Sequence, residues 1–268
     1  MKRFAVMGNP IDHSLSPRIH TLFSEQAGIA LEYRKQQVHS AALSEEITRF
    51  FKDGGIGLNV TIPHKLAAYD LCDELSTRAE LAGSVNTLFM KDGQLIGDNT
   101  DGIGLVRDIT LNLQISCLNA KLLIIGAGGA SRGIIEPLLT QSPSSIDIVN
   151  RTYSKAAQLA EMFKEFGNIR ALSFDQLNSS YDIVINASSS SLQQDIPAVP
   201  EKCLAGGKLA YDLMYAESAT AFMMLAAQAG CHQQSDGLGM LVEQAAEAFA
   251  IWNGFQPNTK AVMAELRH

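Results

Sequence analysis

Short apolar runs alternate with stretches whose apolar residues recur every three or four positions, almost throughout the chain. The runs at 3–7, 31–37 and 57–61 predict strands, with a helix at 44–52 before the third. Ser16-Pro17 opens another helix, with Ser16 as N-cap and Pro17 at the first helical position. Its residues Ile19, Leu22, Phe23 and Ala27 keep one face. The runs at 87–90 and 94–96 flank Asp92-Gly93, a two-residue hairpin signal, and 101–112 reads as a helix. The most strand-like run, 121–125, ends in glycines and leads into a helix at 131–140. Strand 145–150, helix 152–166 and strands 182–186 and 209–213 follow. A helix at 240–253 carries Leu241, Ala245, Ala248 and Trp252 along one face. This alternation predicts βαβ units on mostly parallel sheets.

At 268 residues, 46% hydrophobic, the chain can build two α/β domains, each with its own core. We expect residues 1–103 to form a substrate-binding and catalytic domain, completed by helices in 239–268. Residues 104–238 would form a Rossmann-like dinucleotide-binding domain, with a cleft between the two. Aromatic residues are only 7%, which favours helices on a sheet over a β-sandwich. There is no internal repeat, low-complexity tract or Pro/Ser-rich linker.

Twenty-eight acidic against 21 basic residues give a net charge of −7, which disfavours a nucleic-acid partner. An anionic ligand would need locally supplied positive charge. Cys72, Cys117, Cys203 and Cys231 form no CxxC pair, so reduced thiols in a cytoplasmic protein are expected. Six scattered histidines lack HxH or HExxH spacing, so no metal is expected. The apolar start breaks after four residues, and no run nears the ~20 needed to span a bilayer.

The segment Gly126-Ala127-Gly128-Gly129-Ala130 lies between a predicted strand and a predicted helix. Glycine lets a backbone approach a pyrophosphate, and the following helix N-terminus offers N–H donors to it. Ser131 stands where the usual third glycine would be, and a plain structural turn is the competing reading. The next strand ends in Asn150-Arg151-Thr152 and offers no carboxylate for a ribose 2′-hydroxyl. Arg151 can instead fork onto a 2′-phosphate, with Thr152 adding a hydroxyl and Lys155 one turn on. That favours NADP(H) over NAD(H), unless Arg151 and Lys155 are ordinary surface charges.

In the first domain, Asn59-Val60-Thr61-Ile62-Pro63-His64-Lys65 closes a predicted strand, at the edge where α/β sheets bind ligands. Thr61 and Lys65 would face the crevice if Pro63 starts a helix. Lys65 is the acid/base candidate and Asp101 its partner. On spacing alone, Lys65 reads first as a surface lysine. Ser14 and Ser16 present hydroxyls beside a helix N-terminus, suited to a carboxylate or simply to capping. His13 and His64 lack a visible partner and read as structural or surface residues.

Taken in register, these segments resemble the shikimate dehydrogenase family. The shared stretches are Gly8-Asn9-Pro10 with His13–Pro17, then NVTIPHK at 59–65, AGSVNT at 82–87 and GDNTDG at 97–102. They continue with GAGGASRG at 126–133, NRT at 150–152, YDLMY at 211–215 and DGLGMLVEQ at 236–244. The resemblance spans almost the whole chain and reverses the surface reading of Lys65. It implies an NADP-dependent oxidoreductase that reversibly reduces 3-dehydroshikimate to shikimate, in the route to chorismate and the aromatic amino acids. Ser14 and Ser16, with Tyr215, would hold the substrate carboxylate. Thr61, Asn86 and Gln244 would bind ring hydroxyls, and Lys65 with Asp101 would be the catalytic pair. Gly126, Ala127, Gly128, Gly129 and Ala130 would cradle the pyrophosphate. Asn150, Arg151, Thr152 and Lys155 would surround the 2′-phosphate, and Leu213 and Gly237 would flank the nicotinamide.

Three positions depart from the family pattern. Thr77 replaces a frequent acidic residue, and His64 a frequent aromatic. A serine run, Ser188–Ser191, replaces a glycine-containing loop near the nicotinamide. Alternatives are a relative that also accepts quinate or NAD(H), a non-catalytic sensor on the same scaffold, and a dehydrogenase acting on folates. Retention of Lys65 and Asp101 speaks against the sensor, and the serine pair and low aromatic content against the last. The chain would work as a monomer or homodimer on a small-molecule substrate.

Overall fold

The computed structural model describes residues 1–188 and 197–267. The chain divides into two compact units, Met1–Gly104 with Leu241–His268, and Leu105–Met240.

In the first unit the order is β1 (Lys2–Gly8), α1 (Ser16–Ala27), β2 (Leu31–Gln37), α2 (Leu43–Lys52), β3 (Gly57–Val60) and α3 (Lys65–Asp70). Next come β4 (Glu74–Leu75), α4 (Thr77–Ala82), β5 (Thr87–Lys91), β6 (Gln94–Asp98) and the start of α5 (Asp101–Arg107). The sheet order is β2-β1-β3-β5-β6-β4. β1 lies parallel to β2 and β3, and β5 antiparallel to β3 and β6. The hairpin falls at Asp92-Gly93, whose φ angles of 52° and 82° suit a tight two-residue turn. One apolar face packs Ala5, Met7, Leu58, Val60 and Leu88 under α2. The other packs Phe4, Val6 and Tyr33 with Trp252.

The second unit holds β7 (Lys121–Ile125), α6 (Gly129–Leu139), β8 (Ser145–Val149), α7 (Tyr153–Phe163), β9 (Ile169–Leu172) and β10 (Ile183–Asn186). It ends with β11 (Leu209–Asp212), α8 (Ala221–Gln228), β12 (Gln234–Ser235) and the start of α9 (Leu238–Asn253). α9 continues into the first unit, where α10 (Thr259–Leu266) follows. The sheet is all parallel in the order β12-β11-β10-β7-β8-β9. Numbered within the unit, that is the doubly wound order 3-2-1-4-5-6, whose switch point lies between β7 and β10. All five residues of β8 are buried, as expected of a strand covered on both faces. Its Asp147 is satisfied by a two-pronged bond from Arg170 at 2.6 and 3.2 Å and by the Tyr181 hydroxyl at 2.7 Å.

Three local expectations need correction. Ser16 is the first residue of α1 rather than its N-cap, and its own N–H is taken by Ser14 Oγ at 3.3 Å. Pro63 does not start a helix; α3 begins at Lys65. The helix at 101–112 is α-helical only to Arg107, and Asp108–Asn112 widens into a π turn closed by Leu113 N–H on the Asp108 carbonyl. No helix among the described residues is long and apolar enough to cross a membrane.

Candidate active site

The first unit gathers its polar side chains just past the ends of β3, β5 and β6. Lys65 opens α3, and its carbonyl takes the Val85 N–H, tying that helix to the segment carrying Asn86. Lys65 Nζ donates to Asp101 Oδ2 at 2.6 Å. The two side chains are 26% and 10% exposed, so the ammonium is reachable while the carboxylate is nearly covered. Asp101 is fixed from behind: its N–H goes to Asn99 Oδ1 and its Oδ1 accepts from Asn86 Nδ2 at 2.8 Å. Asn86 also reaches Thr100 Oγ1 at 3.0 Å and Gln244 Oε1 at 3.2 Å. Gln244 comes from α9 and is held by its Nε2 donating to the Leu241 carbonyl.

Thus Lys65, Asp101, Asn86 and Gln244, which the sequence spreads over 180 positions, form one hydrogen-bonded cluster. Thr61 stands at the β1 edge, its N–H on the Met7 carbonyl. A Cβ on Gly8 would lie 2.6 Å from Thr61 Cγ2, which explains the glycine that closes β1. Ser14 Oγ and Ser16 Oγ are 3.2 Å apart at the start of α1. His64 is buried and donates from Nε2 to the Val38 carbonyl at 2.8 Å, a structural role that leaves it outside the cluster. Thr77 opens α4, behind the N-cap Ser76, whose Oγ accepts the Ala79 N–H.

The second unit presents its glycine loop at the switch point. Gly126 has φ of 110°, and a Cβ there would sit 3.0 Å from the Ala187 carbonyl after β10. Gly128 and Gly129 face open space, with nothing within 4 Å of a built Cβ. Gly128 is the N-cap of α6, with no side chain capping it. These N–H groups and open approach can take an anion. Ser131 donates its hydroxyl to the Gly126 carbonyl at 2.9 Å, closing the turn from inside the helix. Asn150 accepts from Ala127 N–H at 3.1 Å and donates to the Thr152 carbonyl at 2.9 Å. It therefore links the glycine loop to the loop after β8. Arg151, Thr152 and Lys155 are exposed at that strand end.

Leu213 follows β11, its N–H on the Asn186 carbonyl, and Gly237 fits only without a side chain, because a Cβ would lie 2.2 Å from the Leu213 carbonyl. Gly239 likewise makes room for the Asp108 carboxylate, which accepts the Tyr211 hydroxyl at 2.6 Å. Burial, with the Asp108 charge beside it, holds that phenol well above its ordinary pKa. Tyr215 is partly exposed after β11. Of the serine run, Ser189–Ser191 lie outside the described residues; Ser188 donates to Asn186 Oδ1.

The chain has recognisable relatives throughout its length. Residues 6–88 match the shikimate dehydrogenase substrate-binding domain, 110–196 the shikimate/quinate 5-dehydrogenase family and 237–267 the shikimate 5′-dehydrogenase C-terminal domain. A shikimate dehydrogenase (NADP(+)) from Vibrio cholerae is 48% identical over 266 residues, 99% of this chain and 95% of that one. The crystal structure of an Ael1 enzyme from Pseudomonas putida superposes with a TM-score of 0.96 at 42% identity, covering 100% of this chain and 99% of that one. The shikimate 5-dehydrogenase from Thermus thermophilus, in complex with NADP(H) and shikimate, gives 0.89 at 31% identity with the same coverage. Glycine loop, strand order and sequence agree: this chain belongs to the shikimate dehydrogenase family.

Proposed function

We propose that the protein is an NADP-dependent shikimate dehydrogenase, reversibly reducing 3-dehydroshikimate to shikimate in the route to chorismate and the aromatic amino acids. The observation that carries this is the Lys65–Asp101 pair, held at 2.6 Å inside an amide and hydroxyl cluster. That cluster suits a small polyhydroxylated anion. Ser14 and Ser16, with Tyr215, would hold the carboxylate; Thr61, Asn86 and Gln244 would hold ring hydroxyls and fix which carbon is presented. On oxidation, the alcohol carbon loses a hydride and its oxygen loses a proton, which passes to Lys65 Nζ. On reduction, Nζ returns that proton to the carbonyl oxygen. Asp101 Oδ2 orients the amine throughout, since Asn86 already occupies Oδ1.

The nicotinamide supplies or accepts the hydride. Gly126, Ala127, Gly128, Gly129 and Ala130 fit its pyrophosphate, because the open Gly128–Gly129 face and the uncapped start of α6 admit an anion. Arg151, Thr152 and Lys155 would meet the 2′-phosphate, with Asn150 bracing both loops, while Leu213 and Gly237 would border the nicotinamide. Residues 1–103 with 239–268 would then act on substrate, and 104–238 on cofactor. We place the enzyme in the cytoplasm as a monomer or homodimer without a nucleic-acid partner, as its net charge of −7 and four free cysteines suggest.

The test is nicotinamide absorbance with shikimate or quinate, each with NADP⁺ or NAD⁺. Rapid reduction is expected with shikimate and NADP⁺; silence in all four mixtures would refute the assignment. Arg151→Glu is expected to raise KM for NADP⁺ by roughly 30- to 100-fold, through a lost charged bond and new repulsion, with little change for NAD⁺. Equal changes for both cofactors would remove Arg151 from the 2′-phosphate.

A further inference from the structure

Asn59 is a polar residue in a strand whose every position is buried. Such a group must have all its bonds met, and its partners lead out of the strand in both directions. Its Nδ2 donates to the Asn86 carbonyl at 3.0 Å and to Thr87 Oγ1 at 3.2 Å. Its Oδ1 accepts the Tyr33 hydroxyl at 2.7 Å, from β2 across β1. With its only proton committed there, the phenol oxygen can otherwise only accept.

The path onward from Asn59 is directed as well. Thr87 Oγ1 donates to Asn86 Oδ1 at 2.8 Å, which also takes the Thr100 N–H at 2.9 Å. Asn86 Oδ1 is therefore an acceptor, and its Nδ2 must face Asp101 Oδ1. Tyr33 stands at the head of this path. Its ring is held flat against His20, 4.3 Å between centroids and 9° between planes. Burial lowers the His20 pKa to about 3, so the stack is between neutral rings.

We propose that Tyr33 is a positioning residue for the substrate cage: its single hydroxyl fixes the amide orientation of Asn59 and, through Thr87, that of Asn86. This rests on the reading in which Asn86 holds shikimate. Tyr33 touches no reacting atom; it acts through residues that would.

Tyr33→Phe keeps the ring and its stack but removes the junction. Shikimate and NADP⁺ binding are measured separately by calorimetry, and exchange of the Asn59 and Asn86 side-chain amide protons by NMR. The variant is expected to bind shikimate about tenfold more weakly, the effect of one hydrogen bond and the order it imposes. NADP⁺ affinity is expected to change less than about twofold, and the amide protons to exchange about tenfold faster. In an Asn59→Ala background the further loss on Tyr33→Phe should shrink to less than about threefold, because the two residues share one bond.

Unchanged shikimate affinity, equal weakening of both ligands, or fully additive losses would overturn the proposal. A wild-type protein that binds no shikimate would overturn the functional reading instead. The amide exchange rates would still decide whether Tyr33 orients Asn59 and Asn86.

Discussion

Lys65→Met is expected to lower turnover of shikimate with NADP⁺ by about 10³-fold, within the range that a positioned acid/base group supplies. Methionine keeps a stem of similar length at the start of α3 and removes the amine proposed to exchange a proton with the substrate oxygen. NADP⁺ affinity should stay within about twofold, since the glycine loop belongs to the other unit. The change also leaves Asp101, 10% exposed, with Asn86 as its remaining side-chain donor. A cost of about 1–3 kcal/mol follows from half-satisfying a buried carboxylate, so kinetics belong at 25 °C with the folded fraction checked by circular dichroism. Turnover within tenfold of wild type would assign the proton transfer elsewhere.

Arg78→Met carries the largest expected stability effect. Arg78 grips Asp98 with Nε and Nη2 at 2.7 and 2.8 Å and reaches Glu247 on α9 with Nη1 at 3.0 Å. It thus joins α4, α9 and the end of β6 at Asp98, three residues before Asp101. Removing one member of such a covered set strands the other charges, at about 3–5 kcal/mol, or roughly a 10 °C drop in midpoint for a chain of this size.

The pH dependence fixes the cause. Burial alone would raise the Asp98 pKa, but the Arg78 hydrogen bonds and charge, with Ser76 and the Asn99 N–H, bring it below the ordinary value. A carboxylate lowered on folding adds stability above its unfolded pKa of about 3.9, and that stability is lost as pH falls through the folded value. Without Arg78, burial dominates and the sign reverses. The gap in thermal midpoint between wild type and Arg78→Met should therefore be wide at pH 7 and narrow towards pH 4. A gap that stays constant would point to a group other than Asp98.

The parts of this molecule visible in its sequence are those where one residue type has one physical use. Asp92-Gly93 marks a hairpin because few residues tolerate two positive φ angles in succession. The glycines after β7 mark a close backbone approach, and β7 itself carries the unbroken buried apolar run Leu122–Ile125. Elements with weaker local signatures were missed. β4 has two residues, and β9 (Ile169–Leu172) is largely half-exposed and does not alternate cleanly. The widening at Asp108–Asn112 could not be seen, since five residues do not separate a period of 3.6 from a looser turn.

Lys65 was legible as chemistry only through the register of many motifs. What makes it a site is Asp101, 36 positions away, and Asn86 and Gln244 behind that. Tyr33 escaped altogether, and Asn59 entered only as the first residue of the 59–65 segment with no role of its own, although an asparagine within Gly57–Val60 was the available signal: a polar side chain there must be bonded to something.

The interrupted path of the chain through the first unit bears on how the protein is made. Residues 105–240 are contiguous, so that body can complete its sheet while still attached to the ribosome. The N-terminal 104 residues emerge earlier but lack Phe249 and Trp252, against which Phe4, Phe23 and His20 pack. Their aromatic layer stays uncovered until the last 28 residues are released (Leu241–His268). The segment bearing Lys65 and Asp101 is thus made before residues 105–240 and sealed after them, and a chain lacking residues 241–268 would keep a finished parallel-sheet unit while leaving the first unit's aromatic layer open and sticky.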